Sequence, residues 1–409
     1  MEKAILVTVD LKNERDWPVE DRAAELRELV VSSRVFIESE IACRRERPTP
    51  DLFIGKGKFN ELRKIADSKK IDVVIFNNDL TPTQLRNLEA GLGNIKVIDR
   101  TQLILDIFSQ HAKSMEGKIQ VELAQLEYLL PRLTGRGVYM SRLGGGIGTR
   151  GPGEKILEYD RRKISHKISK LRSELRDLEK RRYALRNKRK DAMLTSIAIV
   201  GYTNAGKTTL LNRLTDSKRL VADKLFSTLD PVARSYTLPN NLKVLFHDTV
   251  GFLHKLPHNL IESFKATLEE IKNADLLIHV LDASNPRIHE IDRAVHEVLK
   301  ELDSGNKTII SVLNKKDLVD SADYIRRLEK RFSDSVAVSA LKDIDIGLLI
   351  DKILALLADL VTYIRIEIPI NRMDLVNMIY SQGKVHKRQN TFNSVLIEAT
   401  IPTRIKKLF

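Results

Sequence analysis

The sequence predicts an α/β protein built from two layered domains and a smaller unit, with a pair of long helices between the first two. Three observations support this fold class. Short apolar runs alternate with helical patterns in both parts of the chain, two apolar seams of heptad spacing lie between those parts, and four of the later apolar runs end directly at a motif residue. Alternating strands and helices are typical of layered α/β domains.

Residues 1–112 form the predicted N-terminal α/β domain. Thr81 and Pro82 occupy the positions of a helix cap and a first helical residue, which marks the start of one of its helices. The predicted strands are Ala4–Val9, Asp72–Phe76 and Ile95–Ile98. The predicted helices are Asp21–Val31, Phe59–Ser68, Pro82–Leu92 and Thr101–His111.

Residues 113–193 are predicted to form an antiparallel helical hairpin. Each of its two helices offers one apolar seam with alternating spacings of four and three residues, as in a coiled coil. Pro131 should end the first helix, and the glycine-rich segment Leu143–Glu154 should lie at the tip. The two seams are Ile119, Leu123, Leu126 and Leu130, and then Ile164, Ile168, Leu171, Leu175 and Leu178.

Residues 194–360 are predicted to form a doubly wound, mostly parallel sheet. Such a sheet has its ligand loops at the carboxyl ends of the strands, where the motifs of this segment fall. Residues 361–409 form a predicted small C-terminal α/β domain. The predicted strands of the larger sheet are Ile197–Val200, Leu242–His247, Leu276–Leu281, Ile309–Leu313 and Val336–Val338.

The segment Gly201–Thr208 fits the pattern G-x-x-x-x-G-K-[ST] directly after an apolar strand. Glycines let backbone N–H groups surround a β-phosphate, Lys207 places a cation beside the β- and γ-phosphates, and Thr208 offers a hydroxyl to Mg²⁺. A helix that begins near Lys207 adds the positive end of its dipole. The predicted P-loop contacts are Gly201, Tyr202, Thr203, Asn204, Ala205, Gly206, Lys207, Thr208 and Thr209.

Three later motifs follow strands in the order expected of a P-loop GTPase domain. Asp248 can hold a magnesium-bound water, and the Gly251 N–H can meet the γ-phosphate. Asp317 can accept hydrogen bonds from N1–H and the 2-amino group of guanine, which adenine cannot offer. We therefore expect GTP and GDP as ligands and Mg²⁺ as cofactor. The predicted contacts are Asp248, Thr249, Val250, Gly251, Asn314, Lys315, Lys316, Asp317, Ser339 and Ala340.

A switch threonine is also expected, because such a residue gives a hydroxyl to Mg²⁺ and an N–H to the γ-phosphate. Thr228, which follows Phe226 and Ser227, is the chosen residue, and Thr237 is its rival. The predicted cofactor-binding set therefore includes Phe226, Ser227 and Thr228. The predicted catalytic residues are Lys207, Thr228 and Gly251, and the predicted metal ligands are Thr208, Thr228 and Asp248.

Phe252 stands where many small GTPases place a glutamine that orients the attacking water. A phenylalanine cannot hold that water by a hydrogen bond. We expect slow intrinsic hydrolysis that a partner accelerates by ordering the switches or by supplying the missing group.

The positive charge of the chain is concentrated in one element. The net charge is +14, and residues 161–190 contribute +11 of it through fourteen Lys or Arg and three acidic residues. A charge run is usually a solvated helix face, but an imbalance this large favours a polyanion such as nucleic acid.

The remaining composition predicts a cytoplasmic location. Cys43 is the only cysteine, so no disulfide can form within the chain. The first residues lack the apolar core of a signal peptide, and no apolar run approaches the ~20 residues of a membrane helix. We expect no stable membrane insertion.

Several segments outside the general GTPase motifs resemble the HflX family of translational GTPases, over nearly the whole chain. The most specific is the glycine-rich segment Gly144–Glu154, GGGIGTRGPGE. The switch segments Phe226–Pro231 and Asp248–Phe252 also match, including the hydrophobic residue in place of glutamine, which favours Thr228. The other matching segments are Gly55–Lys58, Asp99–Thr101 and Glu116–Leu126.

The resemblance implies binding to the large ribosomal subunit and separation of stalled ribosomes into subunits. Ribosomal RNA would then be the polyanion that the basic hairpin 142–190, with Arg142 and Arg150 near its tip, binds in a salt-dependent way. Members of the family are also credited with ATP binding by the N-terminal domain. Gly55–Lys58 precedes a predicted helix there, but a simple basic turn is the alternative reading. We expect no DNA partner and a monomer.

Two other functions stay open at this point. The protein could be a GTP-timed switch for a protein partner, or an ATP-dependent RNA remodeller that works through its N-terminal domain. The basic hairpin favours the ribosomal function over the first of these.

Overall fold

The computed structural model of the chain consists of two compact units. One holds the described residues up to Leu178, and the other holds those from Glu179 onward. The predicted α/β fold class is confirmed, while the four-domain division stays a prediction. The structure describes residues 2–12, 17–93, 95–133, 152–191, 194–215, 232–253, 265–358 and 361–408.

The N-terminal sheet has four parallel strands in the order β2-β1-β3-β4. The two central strands are apolar and buried, as expected for a parallel sheet covered on both faces. Strand β2 is a largely polar edge strand that the apolar pattern did not predict. The strands are β1 (Lys3–Leu11), β2 (Phe36–Arg45), β3 (Val73–Phe76) and β4 (Lys96–Ile98).

Four helices cover this sheet, and the predicted cap of the third is confirmed. The Thr81 hydroxyl accepts a hydrogen bond from the Gln84 N–H, and the Gln84 side chain accepts one from the Thr81 N–H. This capping box satisfies two of the N–H groups that a helix start leaves unpaired. The helices are α1 (Val19–Ser32), α2 (Lys56–Lys69), α3 (Pro82–Gly91) and α4 (Arg100–His111).

Helix α5 (Met115–Leu129) packs against the 40-residue helix α6 (Pro152–Asp191) through the predicted apolar seams. Two ion pairs lie beside the seam. Glu122 pairs with Lys167, and each of these residues directly precedes a seam residue of its own helix. Glu127 pairs with Arg172, and each of these directly follows a seam residue. In an antiparallel pair of helices, the positions that precede the seam residues face each other, and so do the positions that follow them. These ion pairs therefore support the predicted antiparallel hairpin. The glycine-rich residues 143–151 lie outside the described residues.

The sheet of the second unit has six strands in the order β10-β9-β8-β5-β7-β6. All neighbouring pairs are parallel except β6, which runs antiparallel to β7 at the edge. The strands are β5 (Thr195–Gly201), β6 (Val232–Thr237), β7 (Lys243–Asp248), β8 (Leu276–Asp282), β9 (Ile309–Asn314) and β10 (Ser335–Ala337). The helices are α7 (Lys207–Leu214), α8 (Lys265–Asn273), α9 (Ile288–Glu301), α10 (Ala322–Arg331) and α11 (Ile346–Leu356).

A three-stranded antiparallel sheet in the order β11-β13-β12 follows, with one helix packed on its apolar face. Its elements are β11 (Val361–Pro369), α12 (Met373–Gln382), β12 (Lys384–Asn390) and β13 (Ser394–Pro402). Among the described helices, none is both long and apolar enough to span a membrane.

Candidate functional site

Four predicted motifs meet at one edge of the six-stranded sheet. They follow the carboxyl ends of β5, β7, β9 and β10, which the parallel pairing brings to the same edge. The residues placed there are Gly201, Tyr202, Thr203, Asn204, Ala205, Gly206, Lys207, Thr208, Thr209, Asp248, Thr249, Val250, Gly251, Asn314, Lys315, Lys316, Asp317, Ser339 and Ala340.

The loop that joins β5 to α7 depends on two glycines in the left-handed region. Gly201 has a φ of +148°, and a Cβ there would lie 2.4 Å from the Val280 carbonyl oxygen. Gly206 has a φ of +94°, and a Cβ there would lie 2.2 Å from the Asn314 Nδ2 atom. Any side chain at either position would therefore combine backbone strain with a collision. The phosphate loop can close only with glycine at both positions.

Lys207 is buried at the start of α7, with its ammonium directed back into the loop. Its Nζ donates to the Gly201 carbonyl at 3.1 Å and to the Tyr202 carbonyl at 2.6 Å. Burial lowers the pKa of Lys207 to about 8, and the nearby Asp248 carboxylate partly opposes that shift. The loop thus holds an incompletely compensated cation where a phosphate would bind.

Thr208 and Asp248 form a pair of oxygen ligands beside this cation. The Thr208 hydroxyl donates to Asp248 Oδ2 at 2.8 Å, and Asp248 is fully buried. Hydroxyl and carboxylate oxygens are the donors that Mg²⁺ prefers, and a P-loop threonine with an aspartate is a set that holds it. These residues therefore fit the magnesium role that the sequence predicts.

The segment after β7 is fixed to the phosphate loop by its backbone. The Phe252 N–H donates to the Gly201 carbonyl at 3.0 Å, and the Thr203 N–H donates to the Phe252 carbonyl at 2.9 Å. A Cβ on Gly251 would lie 2.8 Å from Thr203 Cγ2 and 3.0 Å from Lys207 Nζ. The Phe252 side chain is 2% exposed. It is therefore a packing residue, and the residue before it, Gly251, approaches Lys207 without a side chain.

Asn314 connects the phosphate loop to the loop that follows β10. Its Nδ2 donates to the Ala205 carbonyl at 2.8 Å, and its Oδ1 accepts from the Ala340 N–H at 3.0 Å. The exposed Asp317 accepts a 2.5 Å hydrogen bond from the buried Ser339 hydroxyl. That bond orients the Asp317 carboxylate at the edge where a guanine would be recognised.

Two residues that the motifs did not identify support this end of the site. Asp282, the last residue of β8, pairs with Lys315 at 2.7 Å. Arg213 on α7 donates to the Ala340 and Leu341 carbonyls and pairs with Asp343 at 3.4 Å. A polar residue at the end of a buried strand is a signal that could have found Asp282. Nothing local in the sequence identifies Arg213.

The two candidates for the switch threonine have different outcomes. Thr237 is exposed and pairs with Lys243 at the first residue of β7, whereas Asp248 is the last residue of that strand. Six residues of strand span about 17 Å, so Thr237 is too far from the Thr208–Asp248 pair to share an ion with it. The rival reading is therefore wrong. Thr228, with Phe226 and Ser227, lies outside the described residues and stays a prediction.

The turn Gly55–Lys58 begins helix α2. Gly55 has an extended backbone with φ of −69°, and Lys58 pairs with Glu61 at 2.9 Å. A Cβ on Gly55 would lie 2.6 Å from an Arg45 guanidinium nitrogen. The turn lacks the left-handed glycines of the loop at Gly201–Gly206, so these observations favour a basic turn over a second phosphate loop.

Comparisons with known proteins give three family matches and several relatives for this chain. Residues 20–109 match the family described as GTP-binding GTPase N-terminal, residues 111–189 match GTP-binding GTPase Middle Region, and residues 196–315 match 50S ribosome-binding GTPase. GTPase HflX of Caldanaerobacter subterraneus subsp. tengcongensis is 42% identical over 99% of this chain and 92% of its own length. GTPase HflX of Lacrimispora saccharolytica is 41% identical over 99% of this chain and 94% of its own. A GTP-binding protein of Sulfolobus solfataricus, solved in complex with GDP, shares 27% identity over 88% of this chain and its full length, with a TM-score of 0.46.

The lowered pKa of Lys207 predicts that GDP binding takes up a proton above neutral pH. Bound phosphate stabilises the charged form of Lys207. Above about pH 8 this side chain is mostly neutral in the nucleotide-free protein, so it must take up a proton when GDP binds. Between pH 7 and 8.5 the Kd for GDP should rise about fourfold, with uptake of roughly three quarters of a proton at pH 8.5. Calorimetric titrations in two buffers of different ionisation enthalpy measure that uptake. Equal heats in both buffers at pH 8.5 would show that Lys207 is fully charged before GDP binds.

Proposed function

The chain belongs to the HflX family of GTPases, and we propose that it is a Mg²⁺-dependent switch that binds the large ribosomal subunit and separates stalled ribosomes into subunits. The observation that carries the proposal is the assembly of Lys207, Asp248 and Asn314 at one sheet edge, in a chain whose middle segment is a strongly basic hairpin. GTP hydrolysis would then set how long the protein stays on the subunit.

Hydrolysis is proposed to proceed by positioning and charge neutralisation. The N–H groups of the phosphate loop and the Lys207 ammonium would hold the β- and γ-phosphates, and the Gly251 N–H would contact the γ-phosphate. Thr208 and Asp248, together with Thr228, would hold Mg²⁺, which neutralises charge on the phosphate oxygens when bound. Lys207 is already directed at that position by two carbonyl oxygens.

Guanine selection is assigned to Asp317. Ser339 holds one carboxylate oxygen at 2.5 Å, and the neighbouring Lys316 pairs with Asp345. An oriented carboxylate can accept from both N1–H and the 2-amino group of guanine. The Ala340 N–H already bonds Asn314, so the Asn314 amide fixes the loop that faces the base.

The isolated protein is proposed to turn over slowly. Water must be oriented for in-line attack on the γ-phosphate, and the buried Phe252 ring offers no polar atom for that task. A partner that orders the switch segments or contributes a polar group would then accelerate hydrolysis. The large ribosomal subunit is that partner in this proposal.

The basic hairpin is the proposed contact with ribosomal RNA. Glu122 and Glu127 on α5 pair with Lys167 and Arg172, so part of the positive charge is used within the hairpin. Other cations on α6 are exposed, and the described ion pairs do not include them: Arg161, Lys163 and Arg176. Phosphate groups of a structured RNA would be neutralised by such a row, and the attraction should weaken with salt.

An ATP site in the N-terminal domain would support RNA remodelling, but Gly55 has extended backbone, the next three residues belong to helix α2, and Lys58 is paired with Glu61, so no observation favours it. A cytoplasmic location, a monomeric state and domain boundaries at residues 112, 193 and 360 remain part of the proposal.

Asp317→Ala should abolish the discrimination between GTP and ITP, the analogue that lacks the 2-amino group. Loss of two hydrogen bonds to a charged acceptor should weaken GTP binding by about 10²–10⁴-fold, because each is worth about 1.5–3 kcal/mol. The matched control is Asp320→Ala, which removes an exposed acid three residues later. Competition binding with both nucleotides measures the ratio. A variant that still prefers GTP over ITP as strongly as the parent would exclude Asp317 as the guanine contact.

Purified large subunits should stimulate the GTPase rate, and the stimulation should fall as salt rises. Replacing Arg161, Lys163 and Arg176 together by Gln should weaken the apparent affinity for the subunit and reduce the salt slope by up to about three. The control carries the same charge change elsewhere, at the exposed Arg327, Lys330 and Arg331 of α10.

Steady-state rates with large or small subunits, at two salt concentrations, decide the outcome. Equal stimulation by both subunits would contradict the choice of partner. Equal losses in the hairpin variant and in the α10 control would contradict the hairpin as the contact.

A further inference from the structure

Two histidines and an aspartate meet between strand β8 and helix α9. His279 lies in the middle of β8, and Asp292 and His296 lie four residues apart on α9, so they share one helix face. Their ligand atoms all lie within 4.8 Å of one another. In the ranges that the structure describes, no other group of three or more His, Cys, Asp or Glu side chains meets that condition.

Two spacings within this group, those from Asp292 to each histidine, match those of a tetrahedral metal site. Asp292 Oδ1 lies 3.4 Å from His279 Nδ1 and 3.2 Å from His296 Nδ1. Ligand atoms bound at about 2.0–2.1 Å in a tetrahedron lie about 3.3 Å apart. The His296 Nδ1 also contacts the Asp292 backbone carbonyl at 3.0 Å. Binding of one ion would replace that contact, and all three ligand atoms already lie within 4.8 Å of one another.

His279 is a buried polar side chain that lacks a good partner. Its exposure is 0%, and neither ring nitrogen makes a hydrogen bond of acceptable geometry among the described residues, although Nδ1 lies near Asp292. Buried polar atoms are nearly always bonded, so this imidazole requires an explanation. Burial lowers the pKa of His279 to about 4, which keeps the ring neutral. Neutral imidazole is the form that binds a metal.

We propose that His279, Asp292 and His296 form a binding site for a divalent transition metal, of which Zn²⁺ fits best. Two imidazoles and one carboxylate give the nitrogen and oxygen donors that Zn²⁺ accepts, with a water as the fourth ligand. The side chain of His296 is 46% exposed and that of Asp292 is 23% exposed, which gives the ion and the water a path to the site.

This site is distinct from the magnesium position at Thr208 and Asp248. Mg²⁺ prefers oxygen ligands in an octahedron, whereas two of the three donors here are nitrogens. A bound ion would connect β8 to α9. Strand β8 also ends at Asp282, which pairs with Lys315 of the guanine-recognition motif. Metal binding should therefore stabilise the domain that carries the nucleotide site.

The test uses the full chain without a histidine tag, saturated with GDP and excess Mg²⁺ so that the nucleotide site is filled. Zn²⁺ is titrated against a chromophoric chelator, and Co²⁺ serves as a spectroscopic probe of geometry. We expect one ion per chain, a tetrahedral Co²⁺ absorption spectrum, and a rise in Tm on adding Zn²⁺.

His296→Ala and Asp292→Asn should each weaken Zn²⁺ binding by about 100-fold or more and remove the rise in Tm. Because the His296 side chain is nearly half exposed, the first variant should fold and bind GDP as the parent does. The control is His289→Ala on the same helix, where the imidazole stacks on Phe332 with ring centroids 5.6 Å apart. This variant should keep both the metal and the Tm effect.

Two results would overturn the proposal. The first is a parent protein that binds no Zn²⁺ in competition with the chelator. The second is a His296→Ala variant that binds Zn²⁺ as tightly as the parent does. Neither result bears on ribosome binding, since the site does not depend on that function.

Discussion

The side-chain amide of Asn314 is the interaction on which the nucleotide site depends. One atom of it donates to the Ala205 carbonyl in the phosphate loop, and the other accepts from the Ala340 N–H in the loop beside the guanine position. The same amide explains Gly206, because a Cβ there would lie 2.2 Å from Asn314 Nδ2. A residue of the guanine motif therefore dictates a glycine of the phosphate motif. The two ends of the site are one hydrogen-bonded unit.

The phosphate end of the site is likewise ordered within the protein itself. Lys207 is held by two backbone carbonyls in a buried position, at the cost of desolvating its ammonium. A bound phosphate would form a charge-assisted hydrogen bond with this ammonium and so compensate for its lost solvation. The folded protein thus already orients much of the site for phosphate binding before a nucleotide is bound. In the proposed function, the step left to a partner is the placement of the attacking water, for which Phe252 offers only a buried ring.

The sequence was sufficient for the buried strands and for the motifs that follow them, since long apolar runs and fixed motif spacings are local signals. It was not sufficient for β2, β6 and β12, which are edge strands with many exposed polar residues. Because β6 runs antiparallel to β7, Thr237 lies at the end of the strand pair that is far from the magnesium position. That outcome depends on strand direction, which no local pattern encodes.

Contacts between distant segments were the other unpredicted feature. Asp282, Arg213 and the group around His279 depend on which strand lies beside which helix, and only the three-dimensional fold supplies that information. The antiparallel hairpin was predictable because its seams repeat regularly over several turns of both helices. Its ion pairs with Glu122 and Glu127 then showed that only part of its positive charge remains for a polyanion.

The most direct test of the central claim is the rate of GDP dissociation from Asn314→Ala. If the amide joins the two ends of the site, its loss should accelerate GDP release by about 10–100-fold, because one donor and one acceptor lose their partners. The control is Asn240→Ala, which removes a single bond to the Leu242 N–H in the turn between β6 and β7. That variant should change the rate by less than about threefold. Equal dissociation rates for the Asn314 variant and the parent protein would contradict the claim.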